Sequence, residues 1–170
     1  MTVFTAPFEA IAISVAQDVW ELLPDATTRI RILEIELAQY SDPFLHVDAS
    51  AEEIELIPIS FIRGHTVSGS GGGTITPANV NSYGRAAATA VERNNTTVAI
   101  TSGELLFAGV WHNQAGFIWR PPEDVARDPF RRHIVIAPEE RFVVRIGAPA
   151  DELTCNGTIM FEEIGKSPVS

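Results

Sequence analysis

The sequence predicts an all-β fold: an antiparallel β-sandwich, jelly-roll-like, of about eight strands with little helix. Three observations carry this prediction. Apolar residues recur with period 2 in segment after segment, as in Arg141-Phe142-Val143-Val144-Arg145-Ile146, where Phe142, Val144 and Ile146 alternate with Arg141, Val143 and Arg145. Turn-forming residues divide these segments at intervals of roughly 8 to 15 residues. No stretch sustains the 3.6-residue period of a long helix.

Taken in order, residues 1–7 read as a short flexible arm, and Phe4 and Phe8 as side chains that dock on a neighbour. Phe8 to Gln17 reads as a strand with Ile11, Ile13 and Val15 on one side, and Asp18 to Leu23 as the lead into a turn at Pro24-Asp25. Trp20 there is a core or rim aromatic. Between Thr27 and Tyr40 the phase changes: Ile30 and Ile32 alternate with arginines, then Leu33, Ile35 and Leu37 with glutamates. One extra residue near Ile32 and Leu33 is what a β-bulge supplies, and the two clean halves favour a strand over a helix. Glu53 to Ile62 repeats the design, with Pro58 requiring either a sheet edge or a bulge at that point because it lacks a backbone donor.

Residues 63–77 form the longest irregular element, and the glycines Gly69, Gly71, Gly72 and Gly73 make it flexible in isolation. No Lys follows the last glycine as a phosphate-binding loop requires, and Ser68 stands where a nucleophile elbow needs glycine. The remaining readings are a mobile surface loop or a loop that orders against a neighbouring subunit. Ala86 to Arg93 permits a short helix but pairs equally well as a strand before Thr96 to Ile100, and strand pairing is preferred. Glu104 to His112 and Phe117 to Arg120 read as a hairpin about 112–116, with Trp111, Phe117 and Trp119 clustered in core or subunit contact, or as a sugar-stacking platform. The last strands are His133 to Ala137, Arg141 to Ile146 and Gly157 to Ile164, followed by a disordered tail, 165–170.

The chain of 170 residues is sized for a single domain with a core that needs no staples. Cys155 is the one cysteine, so no internal disulfide forms; Asp151 and Glu152 nearby argue against a reactive thiolate. The N-terminus lacks the basic and apolar regions of a signal peptide and no apolar run spans a bilayer, which predicts a chain made in a cytoplasm. A formal charge of −10 argues against a nucleic-acid-binding face, leaving Arg127, Arg131, Arg132 and His133 as the one local basic cluster. His46, His65, His112 and His133 match no zinc or iron spacing; His46-Val47-Asp48 offers two ligands and no third. No cofactor, metal or catalytic residue is assigned, and the chain reads as non-enzymatic.

Three stretches carry a family resemblance: Ser68-Gly69-Ser70-Gly71-Gly72-Gly73-Thr74, Trp119-Arg120-Pro121-Pro122-Glu123, and the ending Asn156 to Gly165. With these features in this order, the C-terminal two thirds resembles small jelly-roll virion proteins of tailed bacteriophages, of the head-decoration or accessory structural type. The resemblance implies a symmetric homo-oligomer, typically a trimer, seated on the major capsid protein in the virion, with no catalytic residues; charge and the lack of an apolar span argue for no nucleic-acid and no membrane partner. Assembly contacts are then expected at Phe4, Phe8, Gly69, Gly71, Gly72, Gly73, Trp111, Trp119, Phe130, Arg131 and Arg132. The alternatives are a carbohydrate- or receptor-binding jelly-roll module of a fibre or spike, with Trp111 and Trp119 at its rim, and a cupin-like metalloenzyme.

Overall fold

A computed structural model describes residues 2–39, 55–82, 84–100, 103–121, 133–150 and 152–165. These residues form two antiparallel sheets packed as a sandwich, with no helix among them. The first sheet holds β1 (Thr2–Ile13), β3 (Arg29–Gln39), β6 (Ala78–Asn79), β9 (Phe117–Trp119), β10 (Val135–Ile136) and β12 (Leu153–Ile164). The second holds β2 (Gln17–Leu23), β4 (Leu56–Arg63), β5 (Gly73–Ile75), β7 (Ala90–Asn95), β8 (Glu104–His112) and β11 (Phe142–Ile146). Eight strands have five or more residues, the number expected; the other four, β5, β6, β9 and β10, are only two or three residues long.

In the first sheet the order is β10-β3-β12-β1-β6, with β9 also on β3; in the second it is β5-β7-β2-β11-β4-β8. The long central strand β12 pairs with β1 on one side and β3 on the other through ten registered positions each. Most successive strands change sheet, the exceptions being β4 to β5, β7 to β8 and β9 to β10, so the chain repeatedly crosses the ends of the sandwich. The hairpin expected at Glu104 to Arg120 is therefore not one. β8 pairs with β4 in the second sheet and β9 pairs with β3 in the first, because the 112–116 turn carries the chain across the sandwich.

The phase change read in β3 is a bulge. Met160 stands opposite Glu34 and Phe161 opposite Ile32, which leaves Leu33 as the extra residue and keeps Ile30, Ile32, Ile35 and Leu37 buried. A second bulge, in β1 between Phe8 and Ile11, does the same for Phe4, Ala6 and Phe8 on one side and Ile11 and Ile13 on the other. Ala10 takes a positive φ of 50° there, and its N–H donates to Asn156 Oδ1 at 2.7 Å.

This corrects the expected N-terminal arm. Residues from Thr2 onward are the first half of a strand, and Phe4 is fully buried with its ring centroid 5.7 Å from that of Phe161. Phe4, Ala6, Phe8, Ile11 and Ile13 are all buried in this strand, more apolar area than a free arm would remove from water, which decides the competition. The strand also ends earlier than expected: Val15 is exposed in the turn, and Asp18 to Leu23, read only as the lead into a turn, forms the strand β2.

Pro58 is neither at an edge strand nor at a bulge. It lies one position past the end of the β11 ladder, which stops at Ile59, and its carbonyl accepts from Gly147 N at 2.8 Å. Its missing donor points to that same side, so no bond to β8 is lost. The bulge in this pair falls between Phe61 and Ile62.

Two aromatic contacts join the sheets. Trp20 packs 4.8 Å from Phe8, centroid to centroid, and its indole N–H donates to the Ala6 carbonyl at 3.0 Å. Phe61 meets Trp119 edge-on at 5.4 Å and Phe117 at 6.3 Å. Gly157 makes room for the first of these clusters: a Cβ built there would lie 2.6 Å from Trp20 and 2.7 Å from Phe8. Gly157→Ala therefore overpacks the core, and urea denaturation should show it less stable by about 1–3 kcal/mol.

Candidate functional site

The outer face of the second sheet carries charge where a sandwich normally meets water. In β2, Trp20 and Leu22 point into the core, and Asp18 and Glu21 lie on the other face across from Arg145 and Val143 of β11, a bulge between Trp20 and Asp18 adjusting the phase. Both acids are buried, Asp18 completely. Burying a carboxylate is costly unless its lone pairs are filled, so the surrounding chain must supply donors.

Arg145 Nε donates to Asp18 Oδ1 at 2.6 Å and Arg141 Nε to Glu21 Oε1 at 2.7 Å. The remaining lone pairs take donors from two loops. Ser68 Oγ donates to Glu21 Oε1 at 2.6 Å, Gly69 N to Glu21 Oε2 at 2.9 Å, and Asn95 Nδ2 to the same oxygen at 3.2 Å. Ala99 N donates to Asp18 Oδ2 at 2.6 Å, and the Ala99 carbonyl accepts from Arg145 Nη2 at 2.7 Å. The two loops, 66–70 and 96–100, are themselves joined by antiparallel bridges between Val67 and Ile100 and between Ser70 and Thr97. They form a cap over the β2–β11 half of the sheet.

The glycine-rich loop is thus ordered by the chain's own residues. Gly69 is buried in the cap. Gly72 approaches β7 so closely that a Cβ would stand 2.0 Å from the Arg93 carbonyl, and Gly71 has a φ of +89°, a conformation that favours glycine. Beyond them Gly73 opens β5, which pairs with β7 and is exposed.

A third buried carboxylate holds the approach to β7. Glu163 Oε1 accepts from Ala88 N, Thr89 N and Thr89 Oγ1 at 2.7–2.9 Å, and Oε2 is 2.6 Å from Arg85 Nη2. Beside it on β12, Glu162 pairs with Arg31 of β3. These acids act as clamps that fasten loops and strands.

Several residues expected at an assembly surface serve the interior instead. Phe4, Phe8 and Trp111 are buried, and the Trp111 indole N–H donates to the Ala115 carbonyl at 2.6 Å. Burial of Trp111 removes it from a stacking platform. Trp119 is half-buried against Phe61. His65 is nearly buried, and no group of three or more His, Cys, Asp or Glu that could hold a metal occurs among the described residues. His46, Asp48, Arg127, Phe130, Arg131 and Arg132 lie outside the described residues.

Cys155 is fully buried on β12, and loss of hydration, rather than the nearby acids, pushes its thiol up to about 12. Glu34 and Glu36 share the outer face of β3. The Arg120 guanidinium 2.5 Å from Glu34 holds that carboxyl below its ordinary value, while the neighbouring Glu34 raises Glu36. Beside them a groove of about 350 Å³ crosses β1, β12, β3 and β9, lined by Pro7, Glu9, Glu36, Ile118, Asn156 and Thr158 among others. Its floor is the outer sheet face, and it is open along its length.

Sequence reading missed Asp18, Glu21 and Asn95 because their partners lie 47 to 127 residues away in sequence, except for one local contact between Asn95 and Glu92. The available signal was Arg141 and Arg145, which share the strand face opposite Phe142 and Val144.

Glu21→Gln keeps the shape of the side chain but leaves Arg141 without its counter-charge. It should cost roughly 3 kcal/mol in chemical denaturation and speed amide exchange at Gly69 relative to β12. A thiol reagent should leave Cys155 unlabelled in the native protein and label it fully once urea unfolds the chain; labelling at native rates would contradict its burial.

No protein-family model, no curated protein and no solved structure matches this chain.

Proposed function

We propose that the chain is a non-enzymatic structural protein of a bacteriophage virion, a capsid decoration protein that assembles as a symmetric homo-oligomer on the major capsid protein. The observation that carries this reading is the use made of its buried charges. Asp18, Glu21 and Glu163, the buried acids that would be the first candidates for chemistry, are committed to arginines, hydroxyls and backbone N–H groups that fasten loops. Such wiring favours rigidity over turnover. The apolar surface, in contrast, is spent outward: Leu56, Leu105, Val110 and Ile118 are each more than half exposed, as a surface built for contact requires.

The family resemblance supplies the setting, a virion assembled in a host cytoplasm, and implies a trimer. A glycan-binding module has less support, since Trp111, one of the two tryptophans it needs, is enclosed. A cupin-like enzyme would need ligands converging inside the sandwich, where the core is aromatic and aliphatic.

Immunogold microscopy of phage particles produced from the genome that encodes the chain tests the proposal. Regularly spaced gold on the heads is the expected result. Particles without label, or a purified chain that is monomeric and carries stoichiometric metal, would overturn it.

A further inference from the structure

The sandwich has four sheet edges, and three of them are closed by very short strands. The first sheet ends in β6, two residues, on one side and in β10 and β9, two and three residues, on the other. The second sheet ends on one side in β5, three residues. Short edge strands are a common defence against pairing with another chain. The fourth edge is β8, nine residues long, and among the described residues nothing pairs with its outer side.

The hydrogen-bonding phase of β8 follows from its partner. Asn113 N donates to the Glu55 carbonyl at 3.1 Å, so residues 107, 109 and 111 face β4 with their backbone groups. Pro58, which has no N–H, stands opposite Val110 and confirms the alternation. Ala108, Val110 and His112 therefore point their N–H and C=O groups away from β4, off the edge of the sheet.

The side chains on this edge match its open backbone. From Leu105 to Trp111 the strand carries no charge, no proline and no lysine, in a chain whose formal charge is −10. Leu105 and Val110 are each 59% exposed, and so is Leu56 on the adjoining strand β4. The loop cap covers the β2–β11 half of the same sheet face, and among the described residues nothing covers this half.

We propose that β8 is the edge at which a second copy of this chain pairs, strand against strand and antiparallel, across a two-fold axis. Two such chains repel over most of their acidic surfaces and meet without that cost along the neutral run 105–111. An antiparallel edge is also self-complementary: the contact is the same on both copies, and closing it removes the exposed edge from each. Leu105 and Val110 then gain cross-strand neighbours on the outer face. The inference rests on the self-association in the proposed function and names its interface. A two-fold contact builds a dimer, or a hexamer when combined with a threefold axis, and does not by itself build the trimer that the resemblance implies.

Light scattering on the purified full chain, with Ala108→Pro and Val110→Pro beside it, tests the proposal. Proline at either position removes only a donor that faces off the edge and leaves the β4 ladder intact. The expected result is a wild-type mass of two or six times 18.5 kDa that falls by half in both variants, with unchanged far-ultraviolet circular dichroism. Val110→Lys retains the backbone donor and sets like charges near the axis; it decides the matter if the proline variants do not fold, and should also halve the mass. A wild-type monomer or trimer, or a folded variant with undiminished mass, would overturn β8 pairing. Particle labelling is read separately, so gold on the heads together with an unaltered variant mass would reject this interface while leaving the decoration role intact.

Discussion

Two carboxylates on the outer face of the second sheet govern how much of this molecule is arranged. Asp18 and Glu21 stand on the central strand β2 and are out of water, so every lone pair not taken by Arg145 or Arg141 has to be filled from nearby chain. The donors come from Ser68 and Gly69, from Ala99 and from Asn95 at the end of β7, and supplying them draws the loops 66–70 and 96–100 flat across the sheet. Once there, the loops bridge one another and enclose Val143, which would otherwise be an apolar residue facing solvent. A glycine-rich stretch that is flexible by composition becomes a fixed cap because acids beneath it need its N–H groups.

The opposite face of the same sheet is ordinary sandwich core. Bulges in β1 and β3 shift the phase of each strand by one residue and let long strands keep an apolar side inward as the sheet curves. Trp20 and Phe8 close one part of the interior and Phe61, Phe117 and Trp119 another. β2 is thus covered on both sides, by aromatic packing within and by hydrogen-bonded loops without. This explains why a strand containing Asp18 and Glu21 can lie at the centre of a sheet.

The cap divides the second sheet into two functional halves. Over β7, β2 and β11 the chain covers itself with polar contacts. Over β4 and β8, among the described residues, aliphatic side chains and a strand edge stay uncovered. Polar groups satisfied within the chain offer little to a partner, whereas exposed apolar area and unpaired backbone gain from association. The assembly role proposed above draws on this division.

The period-2 pattern and the turn signals determined that the chain is a β-sandwich, that β3 carries a bulge near Ile32 and Leu33, and that Phe142, Val144 and Ile146 line the core, because strand phase is a local property. The pattern also showed Arg141 and Arg145 on a face of their own. It did not show what they meet, since Asp18 and Glu21 come from a strand over 100 residues earlier, and nothing in their neighbourhood marks them as buried. The N-terminal residues looked like an arm, and Phe4 and Trp111 like contacts, because an aromatic residue reads the same in a core and at an interface. Only the tertiary structure decided between those places: pairing of β1 with β12 gave Phe4 a neighbour in Phe161, and pairing of β8 with β4 set Trp111 opposite buried Ile57. Register and sheet assignment are long-range choices, set by which apolar faces can be buried together, and no local pattern encodes them.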